Sequence, residues 1–173
     1  LDKTGTLTRG RPEVSEIEPS GSLSEQELLQ YAASLEKVSE HPIGRAVVRE
    51  AERRAVPLLR VESFENLPGQ GLRGEIEGRE ILLGNRVLME SQGVPLGEWL
   101  DKADPLFSKG RTVIFLAFDR EILGLLAAAD ALKEEAADSV RELKALGLEV
   151  TMLTGDNVRV AATVASDLAL DGV

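Results

Sequence analysis

The sequence predicts two fold classes in one chain. An α+β unit, an antiparallel sheet with flanking helices, is set between pieces of an α/β, doubly wound domain. Three observations lead there. Two amphipathic helices are followed by short apolar segments separated by tight-turn residues, up to about residue 128. From Ala131 the pattern becomes helix, buried strand, Gly-containing turn and helix. Hydrophobic residues make up 43% and aromatics only 3%, so the chain should fold around a core of Leu, Val, Ile and Ala.

Residues 1–12 are polar and rich in Thr, Gly and Arg, as in a loop leaving a strand. Ser24 with Glu27 forms a capping box, and Leu28, Tyr31, Ala32 and Leu35 follow at helical spacing. Pro42 starts a second helix, since its missing N–H would be unpaired in a first turn anyway; Ile43, Ala46, Val47 and Ala51 form its buried face. The period then becomes two. Residues 60–65, 72–77 and 79–84 read as strands, the last two joined at Gly78 as a hairpin. A short helix over 85–92 ends at Gly93, and another covers 96–103. Residues 112–118 and 122–128 pair through a turn at Asp119-Arg120, which makes about five strands in all. A helix over 131–146 buries Leu132, Ala136, Val140 and Leu143, with Gly147 as its stop. A strand over 150–153 and a turn at Gly155-Asp156-Asn157 lead into a last helix from about Val158.

Composition excludes several functions. With no cysteine there is no disulfide scaffold, thiolate zinc site or Cys nucleophile. A net charge of -10 argues against nucleic-acid binding, which needs clustered Lys and Arg. It leaves room for one anionic ligand at a local site. The longest apolar runs fall short of the roughly 20 residues that cross a bilayer. The chain opens without Met or a leader-like segment, and it is expected to be a piece of a longer protein.

Chemistry concentrates in four places. Asp2-Lys3-Thr4-Gly5-Thr6-Leu7-Thr8 sets a carboxylate beside a cation, hydroxyls and backbone N–H groups, which suits in-line attack on a phosphoryl group. Seven such residues would arise by chance roughly once in a billion positions at equal usage. Thr154-Gly155-Asp156 follows a strand and offers a hydroxyl, a close-approaching backbone and a carboxylate. Ser39-Glu40-His41-Pro42 places His41 just before a helix, pointing outward. Gly69-Gln70-Gly71, with Gly84-Asn85 downstream, offers backbone approach and an amide. Trp99 reads as core, Lys133, Glu134 and Glu135 as a solvated helix face, and Lys109-Gly110-Arg111 as a loop.

The first run resembles the phosphorylation motif of P-type ATPases, ion pumps that pass through an aspartyl-phosphate. Thr154-Gly155-Asp156 is similar to the second phosphate-site segment of the same family, and Ser39-Glu40-His41-Pro42 followed by Gly69-Gln70-Gly71 and Gly84-Asn85 is similar to segments of its heavy-metal branch. The resemblance implies a nucleotide-binding domain over 13–128, inserted into an incomplete haloacid-dehalogenase-like (Rossmann-type) phosphorylation domain over 1–12 and 129–173. It implies phosphorylation at Asp2 beside Lys3, with Mg²⁺ held by Asp2 and the Thr4 carbonyl. Thr4 and Thr6 would contact phosphate, Thr154 the phosphoryl oxygens, and Gly155 and Asp156 would stand at the site. His41 would orient adenine, Glu40 would touch its polar edge, Gly69 and Gly71 would admit the backbone, and Asn85 would hydrogen-bond the nucleotide. The implied ligands are ATP or ADP and Mg²⁺, with a transported metal and the membrane belonging to segments outside this chain. The family's phosphate-site Lys and Gly-Asp-Gly-x-Asn-Asp stretch would follow Val173, so a monomeric piece on the cytoplasmic side is expected to bind nucleotide without turnover. Related soluble phosphatases carry a second Asp, a general acid and base, where Thr4 stands. The alternatives are such a phosphohydrolase with 13–128 as its cap, and a nucleotide-binding module without catalysis.

Overall fold

Two tight turns organise the sheet. Glu77 and Gly78 have φ of 54° and 72°, and Asp119 and Arg120 have 44° and 68°. Positive φ at both central residues matches the right-handed twist of paired strands. The first turn joins β3 (Gly71–Ile76) to β4 (Arg79–Gly84), and the second joins β5 (Thr112–Phe118) to β6 (Glu121–Ala129). With β1 (Glu13–Pro19) and β2 (Ser63–Leu67) these form one six-stranded antiparallel sheet in the order β1-β6-β5-β4-β3-β2. The computed structural model describes residues 1–173 apart from Ser22, Glu40, Asp156, Asn157 and the side chain of Arg159.

Helices cover both faces. Helices α1 (Glu25–Glu36) and α2 (Pro42–Arg53) pack Leu28, Leu35 and Val47 against Ile81, Leu83 and Leu116. On the other face α3 (Arg86–Ser91) and α4 (Trp99–Ser108) pack Leu88, Trp99 and Phe107 against Leu82, Phe115 and Leu125. Burial on both faces explains why β5 and β6 read as near-continuous apolar runs although they are antiparallel. A third core joins Leu7 to Val140 of α5 (Ala136–Ala145), to Met152, and to Val164 of α6 (Val158–Asp167).

The structure corrects five expectations. The sheet has six strands rather than about five. The unexpected β1 lies at an edge, where Glu13, Glu16, Glu18 and Pro19 need no apolar alternation. The strand expected over 60–65 is β2, Ser63–Leu67, because register with β3 starts at Ser63 opposite Glu75; the preceding Leu58, Leu59 and Val61 pack without pairing. The helix expected over 96–103 runs Trp99–Ser108 and passes through Pro105, since burial of Leu106 and Phe107 outweighs the lost hydrogen bond. The helix expected over 131–146 begins only at Ala136. Residues before it run beside the first segment: Arg9 N–H donates to Ala131 O (2.9 Å) and Lys133 N–H to Leu7 O (2.9 Å). Glu134 and Glu135 therefore lie in a turn, where Glu134 pairs with Arg9. The strand over 150–153 makes only isolated parallel bridges, Asp2 to Leu153 and Thr151 to Gly172, with Leu153 itself 77% exposed.

Candidate functional site

Two regions gather the chemistry, and the first is the Asp2 loop. Leu153 N–H donates to Leu1 O (2.7 Å) and Lys3 N–H to Leu153 O (3.1 Å), so Asp2 and Thr154 leave neighbouring parallel segments at the same end. Ligands of α/β sheets bind at that end, beyond the carboxyl ends of the strands. Thr4 (φ -75°, ψ 118°) and Gly5 (φ 80°, ψ -12°) then turn the chain back. That pair of conformations is a type II turn, whose second position favours glycine. Asp2 and Thr4 are exposed, Lys3 is buried, Thr154 is half-buried and Gly155 is exposed. The buried Thr8 hydroxyl ties the loop down: it accepts from Gly5 N–H (3.1 Å) and donates to the Asp130 carboxylate (2.6 Å). The other Asp130 oxygen accepts from Arg11 N–H (3.1 Å). Asp130 was not singled out from sequence; its position at the end of an apolar strand, facing the returning loop, was the available signal.

The second region is a cleft of about 790 Å³ beside β3, β4 and the start of α2. It is lined by His41, Gly69, Gly71 and Asn85, and Gly155 also borders it. Asp2, Lys3 and Thr4 do not line it. Glu40 and Asp156, both candidates from sequence, lie outside the described residues. His41 caps α2, its Nδ1 accepting from Ile43 N–H (3.3 Å), and it is exposed. Asn85 caps α3 by accepting from Leu88 N–H (3.1 Å) and donates to Gly69 O (2.8 Å). That second bond fastens the Gly69-Gln70-Gly71 turn to the helix. Gly71 (φ 146°) packs so closely on β4 that an added Cβ would lie 2.5 Å from Gly84 Cα. Its lack of a side chain thus has a packing cause of its own.

The cleft also holds a residue that sequence reasoning missed. Glu36, the last residue of α1, is buried, and its Oε2 has no hydrogen-bond partner. Desolvation by burial pushes its carboxyl up from 4.5 to about 7, although the Ser39 hydroxyl bonds it and opposes the rise. A glutamate at a helix end normally reads as solvated charge, so nothing in the pattern marked it. The cation among the described lining residues is Arg86, which pairs with Glu90 (2.6 Å) at the cleft edge.

The model of the haloacid dehalogenase-like hydrolases matches residues 1–173. The chain belongs to this family. Within it, the chain is similar to heavy-metal P-type ATPases. It is 41% identical over its full length to a copper-transporting P-type ATPase of Rhizobium leguminosarum bv. viciae, covering 21% of that protein. Over 171 residues it is 44% identical to copper-exporting P-type ATPase B of Archaeoglobus fulgidus, covering 24% of it. Among solved structures it superposes with a TM-score of 0.74 on a zinc-transporting PIB-type ATPase in its E2.Pi state, at 37% identity, over 99% of this chain and 28% of the other. The chain thus spans about a fifth of the length of the curated relatives it matches. The fold is that of the family, an antiparallel α+β nucleotide-binding unit set in a haloacid-dehalogenase-like framework. Among the described residues no helix is long and apolar enough to cross a membrane.

Proposed function

We propose that this chain is the ATP-binding and phosphoryl-accepting part of a heavy-metal P-type ATPase. In this reading residues 13–128 bind the nucleotide, and 1–12 with 129–173 carry the phosphorylation site. The observation that carries it is the cleft, which gathers His41, Gly69, Gly71, Asn85 and the buried Glu36, with Gly155 on its border. Adenine offers an exocyclic N–H₂ donor on the edge where guanine has a carbonyl oxygen. In its charged form the Glu36 carboxyl, which borders the cleft, accepts from that amine; against guanine it would face another acceptor. His41 packs against the base from the α2 N-terminus, and Gly69 lets the backbone approach. Asn85 holds the Gly69 turn and hydrogen-bonds the nucleotide. Arg86 supplies the local positive charge that the net charge of -10 withholds.

Asp2, exposed at the end of its segment, is the nucleophile. Its carboxylate oxygen bonds to the γ-phosphorus in line as the bond to the ADP β,γ-bridging oxygen breaks, and ADP leaves. The donor set fits Mg²⁺ modestly: the Asp2 carboxylate and the Thr4 carbonyl are two hard oxygens, and this ion keeps several waters and leans on substrate phosphates. When bound it would neutralise charge on the phosphates. Thr4 lacks a carboxylate, so it cannot activate water, and the aspartyl-phosphate outlives the transfer. In the whole pump that lifetime would drive export of a copper- or zinc-like ion through parts outside this chain.

Calorimetry tests the nucleotide reading. The chain should bind ATP, and His41→Gln should weaken binding about tenfold, or about 1.4 kcal/mol, with the fold intact. Unchanged affinity would remove His41 from the site. With one carboxylate, Asp2, and the Thr4 carbonyl as its named donors, the 173-residue chain neutralises the phosphate charge weakly and should take up no acid-stable label from γ-³²P-ATP. Labelling that vanishes in Asp2→Asn would reverse that expectation and establish transfer to Asp2. Rapid hydrolysis of p-nitrophenyl phosphate would favour a soluble phosphohydrolase instead.

A further inference from the structure

The Ser39-Glu40-His41-Pro42 run leaves Ser39 without a role, and the glycine that follows it in α2, Gly44, is buried. Both lie against Glu36. A Cβ added to Gly44 would stand 2.7 Å from Glu36 Cδ and 3.2 Å from Ser39 Oγ, and closer still to Glu36 Oε2. The carboxyl therefore occupies the space that any other residue at position 44 would fill. The Ser39 hydroxyl bonds the same carboxyl, its N–H donates to Glu36 O (2.9 Å), and its Oγ accepts from His41 N–H (3.2 Å). One hydroxyl thus links the carboxyl to the residue that caps α2.

We propose that Gly44 and Ser39 form a seat for the Glu36 carboxyl and thereby set the preference of the cleft for adenine over other bases. Gly44 provides room for Oε2 against α2, Ser39 holds the carboxyl, and together they keep it in the wall of the cleft. Both are positioning residues that touch no nucleotide. A methyl at position 44 has one easy outlet. The carboxylate is the flexible end of its side chain, and the helix backbone of Gly44 is not, so the carboxylate moves into the space the base needs. The inference rests on the nucleotide reading above.

The test is calorimetry with ATP and GTP on the full 173-residue chain, with thermal melting alongside. Gly44→Ala should lower ATP affinity at least tenfold and leave GTP affinity within twofold. Its melting temperature should hold or rise, because alanine is the better helix former. Glu36→Asp in the Gly44→Ala background, with a shorter carboxyl that clears the methyl, should recover part of the ATP affinity. Ser39→Ala adds no atoms and so tests the seat without steric load; it should cost ATP affinity severalfold and leave GTP affinity within twofold, with a small drop in melting temperature from the two lost hydrogen bonds. The seat is overturned if Gly44→Ala keeps its ATP affinity. Parallel loss of ATP and GTP binding with a lowered melting temperature would also overturn it, as would full ATP affinity in Ser39→Ala. A wild-type chain that binds no ATP overturns the nucleotide reading itself, which separates the two failures.

Discussion

The sheet-bearing unit and the Asp2 region hold together in different ways. In the first, six strands pair continuously and both faces are covered, so Phe115 and Leu83 are buried between strand neighbours and helices on either side. In the second, parallel segments meet through single bridges, and Leu146, Leu153 and Val158 stay exposed among the described residues. The cleft is built on the continuous sheet. The Asp2 loop hangs on a few hydrogen bonds, chiefly those of Thr8 with Gly5 and Asp130. Base recognition needs a rigid wall, because discrimination depends on unpaired groups being unable to move aside. In the proposed function the Asp2 loop meets a phosphate delivered from elsewhere, and lighter tethering suits that role.

The sharpest way to break this contrast is core truncation in each region. Phe115→Ala should cost about 3–5 kcal/mol and unfold the sheet, read as a lowered midpoint in chemical denaturation. Met152→Ala, in the smaller core, should cost about 2 kcal/mol and leave hydrogen-exchange protection of β3–β6 intact. Loss of protection across both regions in Met152→Ala would show that they are one cooperative unit.

The next effect is pH dependence. The Glu36 carboxyl is held near 7 in the folded chain, mainly by burial, against an ordinary value of 4.5. Between those values the folded state binds the extra proton, so stability is highest at the acid end and falls as pH rises towards 7 and past it. The change is up to about 3 kcal/mol. Glu50 acts in the opposite sense, held down to about 2 chiefly by its hydrogen bond with Arg53, but its window lies below 4.5. Denaturation between pH 5 and 8 therefore isolates Glu36. Glu36→Gln should flatten the profile, and a wild-type-like slope in that variant would assign the titration elsewhere.

The smallest effect sharpens the comparison from the outside of the sheet unit. Ser24 and Glu27 form the reciprocal capping box of α1, with Glu27 N–H donating to Ser24 Oγ (3.2 Å) and Ser24 N–H to Glu27 Oε2 (2.8 Å). Ser24→Ala should cost about 1 kcal/mol by thermal melting and leave ATP binding unchanged. A change in ATP affinity would mean that α1 transmits its stability to Glu36 at its other end.

Features with local causes were legible in the sequence. The capping box, the Pro42 start of α2, and the turns at Glu77-Gly78 and Asp119-Arg120 depend on neighbours a few residues apart, and they form as expected. Of the motif residues, His41, Gly69, Gly71 and Asn85 line one cleft and Asp2 lies beside Leu153. What failed depended on partners far along the chain. β1 pairs because β6 offers it an edge, α4 runs through Pro105 because a core receives Leu106 and Phe107, and α5 starts late because residues 131–133 pair with Leu7 and Arg9.

Glu36 marks the division between the two sources of information. The sequence by itself determined that a helix would carry the chain to Leu35 and that a second, glycine-bearing helix would start at Pro42, because capping and helix starts are local events. Only the tertiary structure decided that the carboxyl would be buried, because burial depends on the close approach of α2 at Gly44. Periodicity records which face of an element is apolar, and carries no trace of a charged group that packing strips of water.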